Sequence, residues 1–179
     1  MVACSVRAIS HCTSFLVIPG VALGVALASG CDHGRRDDAV SVAPKHSEPS
    51  STRAAPRVVI ATAGGDAVVD VEVVASEGAI RRGLMFRQHL PPGGGMLFLM
   101  AVEKDWTFWM RNTLIPLDMI FIRSDMTVAG VVENAEPKTE VLRSVGERSR
   151  YVLEVNGGWA RAHGVMRGVT VRFENVPRG

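Results

Sequence analysis

Two neighbouring stretches of the chain contain the side chains best suited to chemistry. In WTFWMRNT, residues 106–113, Arg111 and Asn112 lie beside two tryptophans, and in LIPLDMIFI, residues 114–122, Asp118 is the single acid of an apolar run. A buried carboxylate without a partner takes up a proton instead of staying charged, so Asp118 needs one. Asp118 therefore either fixes the fold, by capping the turn formed by Asn112, Thr113 and Pro116 or by pairing with Arg111, or belongs to a polar pocket.

The pocket interpretation predicts a ligand-binding site. Its candidate residues are Arg111, Asn112 and Asp118, joined by Glu154 from the later run YVLEVN. Asp118 and Glu154 also allow an alternative, in which they act as the acid–base pair of a hydrolase-like enzyme. The sequence does not fix their separation, and it contains no G-x-S-x-G nucleophile elbow. We predict binding or assembly rather than catalysis, and no cofactor.

Alternation along extended segments indicates which of these side chains share a face. In an extended chain, every second residue points to the same side. One face of the first stretch then carries Trp106, Phe108 and Met110, and the other carries Thr107, Trp109 and Arg111. In LDMIFI, residues 117–122, Asp118 shares its face with Ile120 and Ile122. We expect the first tryptophan to belong to the core and the second to lie beside the cation.

Metal binding has little support in the sequence. His89 and His163 are the only histidines after residue 56, and no H-x-x-x-H or EF-hand spacing is present. Five methionines between residues 85 and 119 could bind Cu(I) through their thioethers. They lie among Leu, Phe and Trp, where methionine fills gaps in a core. We predict no metal site.

The elements that must position these side chains are short. Runs rich in β-branched and aromatic residues, bounded by Gly, Pro, Asn or Asp, occupy residues 58–62, 67–75, 96–101, 105–110, 117–122, 127–133, 150–155 and 169–174. Ser76 can cap a short helix that Gly83 ends, and a second short helix is predicted from Trp159 to His163. The pattern predicts a mainly-β domain, a sandwich or barrel of about eight short strands with two short helices.

The N-terminal region predicts export and a lipid anchor. FLVIPGVALGVALA, residues 15–28, is uncharged and has the length of a signal-peptide h-region. LASGC, which ends at Cys31, is similar to the lipobox of bacterial lipoproteins. We predict a signal peptide over residues 1–30, then a lipidated cysteine and a disordered tether over residues 31–56. A secretory signal without lipid and an uncleaved anchor are the alternatives. A single domain, residues 57–176, would face the periplasm or the cell exterior.

Cysteine content and charge exclude several classes of protein. All three cysteines, Cys4, Cys12 and Cys31, precede the domain, which can therefore hold no disulfide, zinc–thiolate site or cysteine nucleophile. The formal net charge of +2 and the lack of a basic cluster give no indication of a nucleic-acid surface. The expected partners are the membrane, through Cys31, and an unknown small molecule or envelope component. A purely structural role, with another envelope protein recognised through exposed tryptophan, stays open.

Three blocks of the sequence carry a family resemblance. RRGLMFRQHLPPGGGMLFLM (81–100), FWMRNTLIPLDMIFI (108–122) and YVLEVNGGWARAHGV (151–165) resemble, in this order, the signature blocks of the prokaryotic family called domain of unknown function 192. The resemblance implies a mainly-β sandwich-like fold and no established activity. Two positions depart from the family. Arg111 stands where lysine is commoner, which keeps the charge but not the geometry, and Val169 stands where Asp commonly follows Gly168.

Overall fold

The protein is described by a computed structural model over residues 54–177. The predicted signal peptide, Cys31 and most of the predicted tether lie outside this range. Seven strands and two short helices follow one another within it: β1 (Arg57–Thr62), β2 (Gly65–Val74), α1 (Glu77–Arg82), β3 (Gly94–Asp105), β4 (Leu117–Ile122), β5 (Val128–Ala135), β6 (Arg148–Asn156), α2 (Trp159–Ala162) and β7 (Val171–Glu174). The predicted mainly-β class is confirmed.

The seven described strands form one curled sheet in the order β5-β4-β6-β3-β2-β1-β7. Neighbouring strands are antiparallel, except that β2 and β3 run parallel, and the connection between those two contains α1. Thr127, before β5, and Thr170, before β7, form an antiparallel bridge between the two edges of the sheet. The sheet is therefore a half-barrel, which agrees with the predicted barrel-like architecture.

The sheet buries apolar side chains on both of its faces. The first group, here called the α2-side cluster, contains Ile120 of β4 and Ala160 of α2. The second, the α1-side cluster, contains Phe121 of β4 and packs against Ile80 of α1. All six residues of β4 are buried, because this strand lies between β5 and β6 with both faces covered. A strand covered on both faces reads as an almost uninterrupted apolar run.

The prediction of a strand over residues 105–110 was wrong. Phe108 alone forms an isolated bridge, with Arg143, and residues 106–116 lie over the α1-side cluster instead of joining the sheet. We call residues 106–116 the covering segment. The predicted alternation is observed, because the buried members of this segment include Trp106, Phe108 and Met110. Burial of every second residue fits any extended segment packed over apolar side chains, whereas a strand also needs consecutive bridges to a neighbouring strand, and here the bridge is a single one.

Both helices begin and end close to the predicted residues. The Ser76 hydroxyl accepts a hydrogen bond from the N–H of Ala79 at 3.4 Å, and Gly83 ends α1 with a φ of 45°. The second helix is a single turn, followed by Gly164 with a φ of 67°. Glycine adopts such left-handed conformations without steric strain. No helix within residues 54–177 combines the length and apolar character that a membrane crossing requires.

The Asp118 carboxylate joins three parts of the chain. Its Oδ1 accepts hydrogen bonds from the backbone N–H groups of Asn134 (2.7 Å) and Gly158 (2.9 Å), and its Oδ2 accepts one from Ala160 (2.8 Å). These contacts connect β4 to the end of β5 and to the first turn of α2, and the side chain has no exposed surface. Charge-assisted bonds of this kind satisfy a buried carboxylate. Asp118 therefore has a role in the fold, but it binds backbone groups of β5 and of the first turn of α2, not the turn at residues 112–116 or Arg111.

The two glycines before α2 allow this close packing. A Cβ on Gly157 would lie 2.8 Å from Asn134 Oδ1 and 3.1 Å from Pro116 Cβ. Gly158 has a φ of 84°, which favours glycine, and its N–H is one of the donors to Asp118. The glycines thus allow β4 and α2 to pack closely. The anion at the first turn of α2 is the Asp118 side chain of the protein itself.

Replacing Asp118 by Asn is expected to destabilise the domain by about 2–4 kcal/mol. The amide retains one acceptor oxygen but turns its NH₂ group towards a buried N–H donor. Urea unfolding of the purified protein measures the change. Asp70→Asn is the matched control, because Asp70 is exposed and its ion pair with Arg57 (3.0 Å) contributes less than about 1 kcal/mol. Equal stability of the two variants would contradict the capping role.

Candidate functional site

The sheet places the two buried acids on opposite faces. In the register of β4 and β6, Asp118 lies opposite Val155 and Met119 lies opposite Glu154. Paired residues of neighbouring strands share a face, and successive residues alternate, so Glu154 points to the side away from Asp118. One substrate cannot contact both carboxylates across the sheet. The acid–base pair of the hydrolase alternative is therefore not assembled.

The other two candidate residues, Arg111 and Asn112, are exposed on the covering segment. The Nε of Arg111 lies 3.6 Å from a carboxylate oxygen of Glu140, and its guanidinium carbon lies 5.7 Å from the ring centre of Trp109. Asn112 has a φ of 58°, and its carbonyl accepts a hydrogen bond from the N–H of Phe86 at 2.8 Å. The ion pair between Arg111 and Asp118 that the sequence allows is not formed. Both residues shape the covering segment.

Of the four candidate residues, Glu154 lines a cavity. This cavity lies on the α1 side, between α1, the covering segment and the sheet, and has a volume of about 40 Å³. Leu84 and Phe98 belong to its apolar wall, and Thr107 and Trp109 line it from the covering segment. Since roughly 10–15 Å³ accommodates one water molecule, the cavity takes a group of a few heavy atoms.

The Glu154 carboxyl is buried, and no residue of the range 54–177 is its partner. Its exposed fraction is 5%, and none of the described residues donates a hydrogen bond to it. Burial raises the pKa of Glu154 to about 8, so the carboxyl is mostly protonated at neutral pH. Asp118, in contrast, accepts three backbone hydrogen bonds. The carboxyl of Glu154 is thus left free to exchange hydrogen bonds with a group in the cavity.

Further polar groups of the cavity were missed by the sequence analysis. The hydroxyl of Thr107 is buried and has no hydrogen-bond partner among the described residues, and Thr113 also lines the cavity. Arg81 lines it from α1, but its guanidinium donates to Glu77 at 2.8 Å and stays largely exposed. The available signal for Thr107 was its position on the same face as Trp109 in the alternating stretch. Nothing in the sequence pointed to Thr113 or Arg81.

No cluster of metal ligands was found within residues 54–177, where no three His, Cys, Asp or Glu side chains gather. The ring of His163 stacks on Trp159 at 4.1 Å and contacts its carbonyl oxygen. Among the methionines considered for Cu(I), those buried in the α1-side cluster are Met96, Met100, Met110 and Met119. They pack among aromatic rings and aliphatic chains there, as core methionines do.

Glu154 is expected to make the folded state less stable as the pH rises. Its pKa is raised from 4.5 to about 8 by folding, so the folded protein holds one more proton between these values. The free energy of unfolding therefore falls by ~1.4 kcal/mol per pH unit as the pH rises from 4.5 to about 8. Glu154→Gln removes the titrating group and should be more stable than the parent protein by about 3 kcal/mol at pH 7.

Urea unfolding at half-unit steps from pH 5 to 8 measures this slope. Glu147→Gln is the control, because hydrogen bonds from Arg167 and Arg123 lower the pKa of Glu147, which then titrates below this window. The control should keep the parent slope. A Glu154→Gln curve parallel to that of the parent would show that Glu154 is not the source.

Comparison with known proteins places the chain in a family. The family model described as "Uncharacterized ACR", domain of unknown function 192, matches residues 58–173. A Sinorhizobium meliloti structure described as a "putative transcription regulator" is 36% identical, with a TM-score of 0.64 over 69% of this chain and 97% of that one. A protein of unknown function from Novosphingobium aromaticivorans is 34% identical, with a TM-score of 0.64 over 78% and 99% of the two chains. No curated protein matches the sequence. The chain belongs to the domain of unknown function 192 family.

Proposed function

We propose that the protein is a binding module whose ligand, or a small group of it, occupies the cavity at Glu154. The observation that carries the proposal is a carboxyl that is 5% exposed, accepts no hydrogen bond from residues 54–177 and lines a cavity. Buried polar groups in folded proteins almost always have hydrogen-bond partners. A ligand group that bonds to Glu154 and to the Thr107 hydroxyl would satisfy both.

Binding fits this cavity better than catalysis. Its one carboxyl is surrounded mainly by apolar side chains, and the second buried acid, Asp118, faces the other side of the sheet. Hydrolysis by paired carboxylates needs both groups at the same bond. Recognition needs only shape and a few polar atoms in an apolar site.

Apolar surface beside the cavity supports the same proposal. Leu142 lines the cavity and is 45% exposed, and the adjacent Val141 is 64% exposed. Neighbouring exposed apolar side chains are a feature of interaction sites. A ligand larger than the cavity could place one small group inside and rest the remainder on this surface.

A panel of three-carbon probes tests the proposal: propan-1-ol, propanamide, propylammonium and propionate. In full-length protein labelled with ¹⁵N-tryptophan, the indole N–H of Trp109 reports on the cavity, and that of Trp159, on α2, is the internal control. We expect at least one probe to shift the Trp109 signal saturably. The four or five heavy atoms of these probes provide at most about −6 to −7.5 kcal/mol, so dissociation constants in the micromolar range or weaker are expected.

Two tryptophan substitutions locate the binding. Leu142→Trp adds a bulky ring at the cavity and is expected to abolish the probe-induced shift, whereas Val141→Trp, at a neighbouring residue that does not line the cavity, should preserve it. If no probe shifts Trp109, or if Leu142→Trp binds as the parent does, the proposed site is wrong.

We further propose that this module is anchored in the cell envelope through a lipidated Cys31. The predicted signal peptide, residues 1–30, and Cys31 lie outside the described residues, so the uncharged stretch and the small residues before Cys31 are what support this. The envelope would then supply the ligand, either as a small molecule or as part of an envelope component.

Cys31→Ser is expected to abolish fatty acylation and membrane association. Labelling of cells with an alkyne fatty acid, followed by detergent partitioning, measures both. Cys12→Ser is the control, because Cys12 lies in the predicted signal peptide, and it should retain the label. If the parent protein does not incorporate the fatty acid, the proposed lipid anchor is wrong.

A further inference from the structure

Within residues 54–177, no cation is paired with the Glu154 carboxyl. Its neighbours across the sheet are Met96 of β3 and Met119 of β4, which are uncharged. Of the residues that line the cavity, Arg81 is the one cationic side chain, and it is held by Glu77 at the surface. Burial alone accounts for the raised pKa of Glu154. The cavity therefore has a place for a positive charge that none of the described residues fills.

The wall of the cavity also favours a cation. Three aromatic side chains, Phe98, Phe108 and Trp109, line it, and aromatic rings attract cations. The unpartnered polar groups, the Glu154 carboxyl and the Thr107 hydroxyl, can both accept hydrogen bonds. A primary ammonium has three N–H donors and is compact enough for a volume of about 40 Å³. A ligand with an anionic group would instead place two acidic groups of like charge side by side.

We infer that the ligand of this cavity carries a primary ammonium group on a short alkyl chain, bound to the Glu154 carboxylate and to the Thr107 hydroxyl. The inference rests on the proposed function and names the class of ligand for the same cavity. A free alkylamine and a lysine side chain both present this group.

Binding must release a proton. In the free protein at neutral pH the Glu154 carboxyl keeps its proton, since its pKa is about 8. When the ammonium enters, the O–H bond of the carboxyl breaks, the proton leaves to solvent, and the carboxylate accepts N–H bonds from the ligand. The ligand retains its own proton, because alkylamines have a pKa of roughly 10.5. Affinity therefore rises about tenfold per pH unit below pH 8 and levels off above it.

Other charged groups around the cavity are occupied elsewhere. On α1, Arg81 is paired with Glu77, and on the covering segment Arg111 lies beside Glu140. Arg143, next to the lining residue Leu142, donates to the Val141 carbonyl and to the Thr139 hydroxyl. Since these groups are paired with one another or with the backbone, the expected pH dependence is assigned to Glu154.

Isothermal titration of the full-length protein with propylammonium, in phosphate and in imidazole buffers, measures the proton released. We expect about one proton per ligand at pH 6.5 and almost none at pH 9. Glu154→Gln should abolish the release and weaken propylammonium more than tenfold while propanamide still binds. Ser149→Ala is the matched control, because the hydroxyl of Ser149, in β6, is also buried without a partner among the described residues and does not line the cavity. It should behave as the parent protein.

A blocked lysine, Nα-acetyl-lysine methylamide, separates the two sources of the ammonium. Competition with propylammonium indicates that a polypeptide side chain reaches the cavity, and failure to compete restricts the ligand to free amines; either result supports the ammonium. Two results would overturn the inference and leave the proposed function standing. One is tighter binding of propan-1-ol or propanamide than of propylammonium at pH 8. The other is binding of propylammonium without proton release at pH 6.5. If none of the probes binds, the proposed function fails and the inference fails with it.

Discussion

Three backbone N–H groups converge on the Asp118 carboxylate, and the geometry of the candidate site depends on this contact. It fixes β4 against the end of β5 and the first turn of α2. With β4 held in place, β6 lies between β3 and β4 and presents Glu154 to the α1 side. The negative charge at the first turn of α2 comes from within the fold, which removes the reason to look for an anionic ligand there. Of the two buried acids, Asp118 thus binds the backbone of the protein, and Glu154 is left available for a ligand.

The sequence identifies both acids but not their surroundings. An acid within an apolar run is visible without a structure, and this is how Asp118 and Glu154 were found. Which face each acid occupies depends on the pairing of β4 with β6, and a shift of one residue would move Glu154 to the other side. Sequence proximity was a poor guide to the partner of Arg111, because the covering segment leaves the sheet and carries Arg111 to Glu140.

The fold was more predictable than the site because strands, caps and turns leave local signals. β-branched runs bounded by glycine or proline locate the strands, and Ser76 and Gly83 mark the ends of α1. The failure at residues 105–110 has a physical cause. Apolar alternation records burial, and the covering segment buries alternate residues without a neighbouring strand on either side. The parallel pairing of β2 with β3 likewise depends on chain topology, which no local pattern encodes.

The place of β7 in the sheet has a consequence for how the domain is completed. This last strand pairs with β1, the first, so that Arg57 lies opposite Glu174. Contacts between such distant parts of a chain form slowly, because a long loop must close before they are made. Until then β1 has a partner on one side only, and its free edge can pair with a strand of another molecule. Covering this edge depends on β7, so a polypeptide that lacks Val171–Glu174 is prone to self-association.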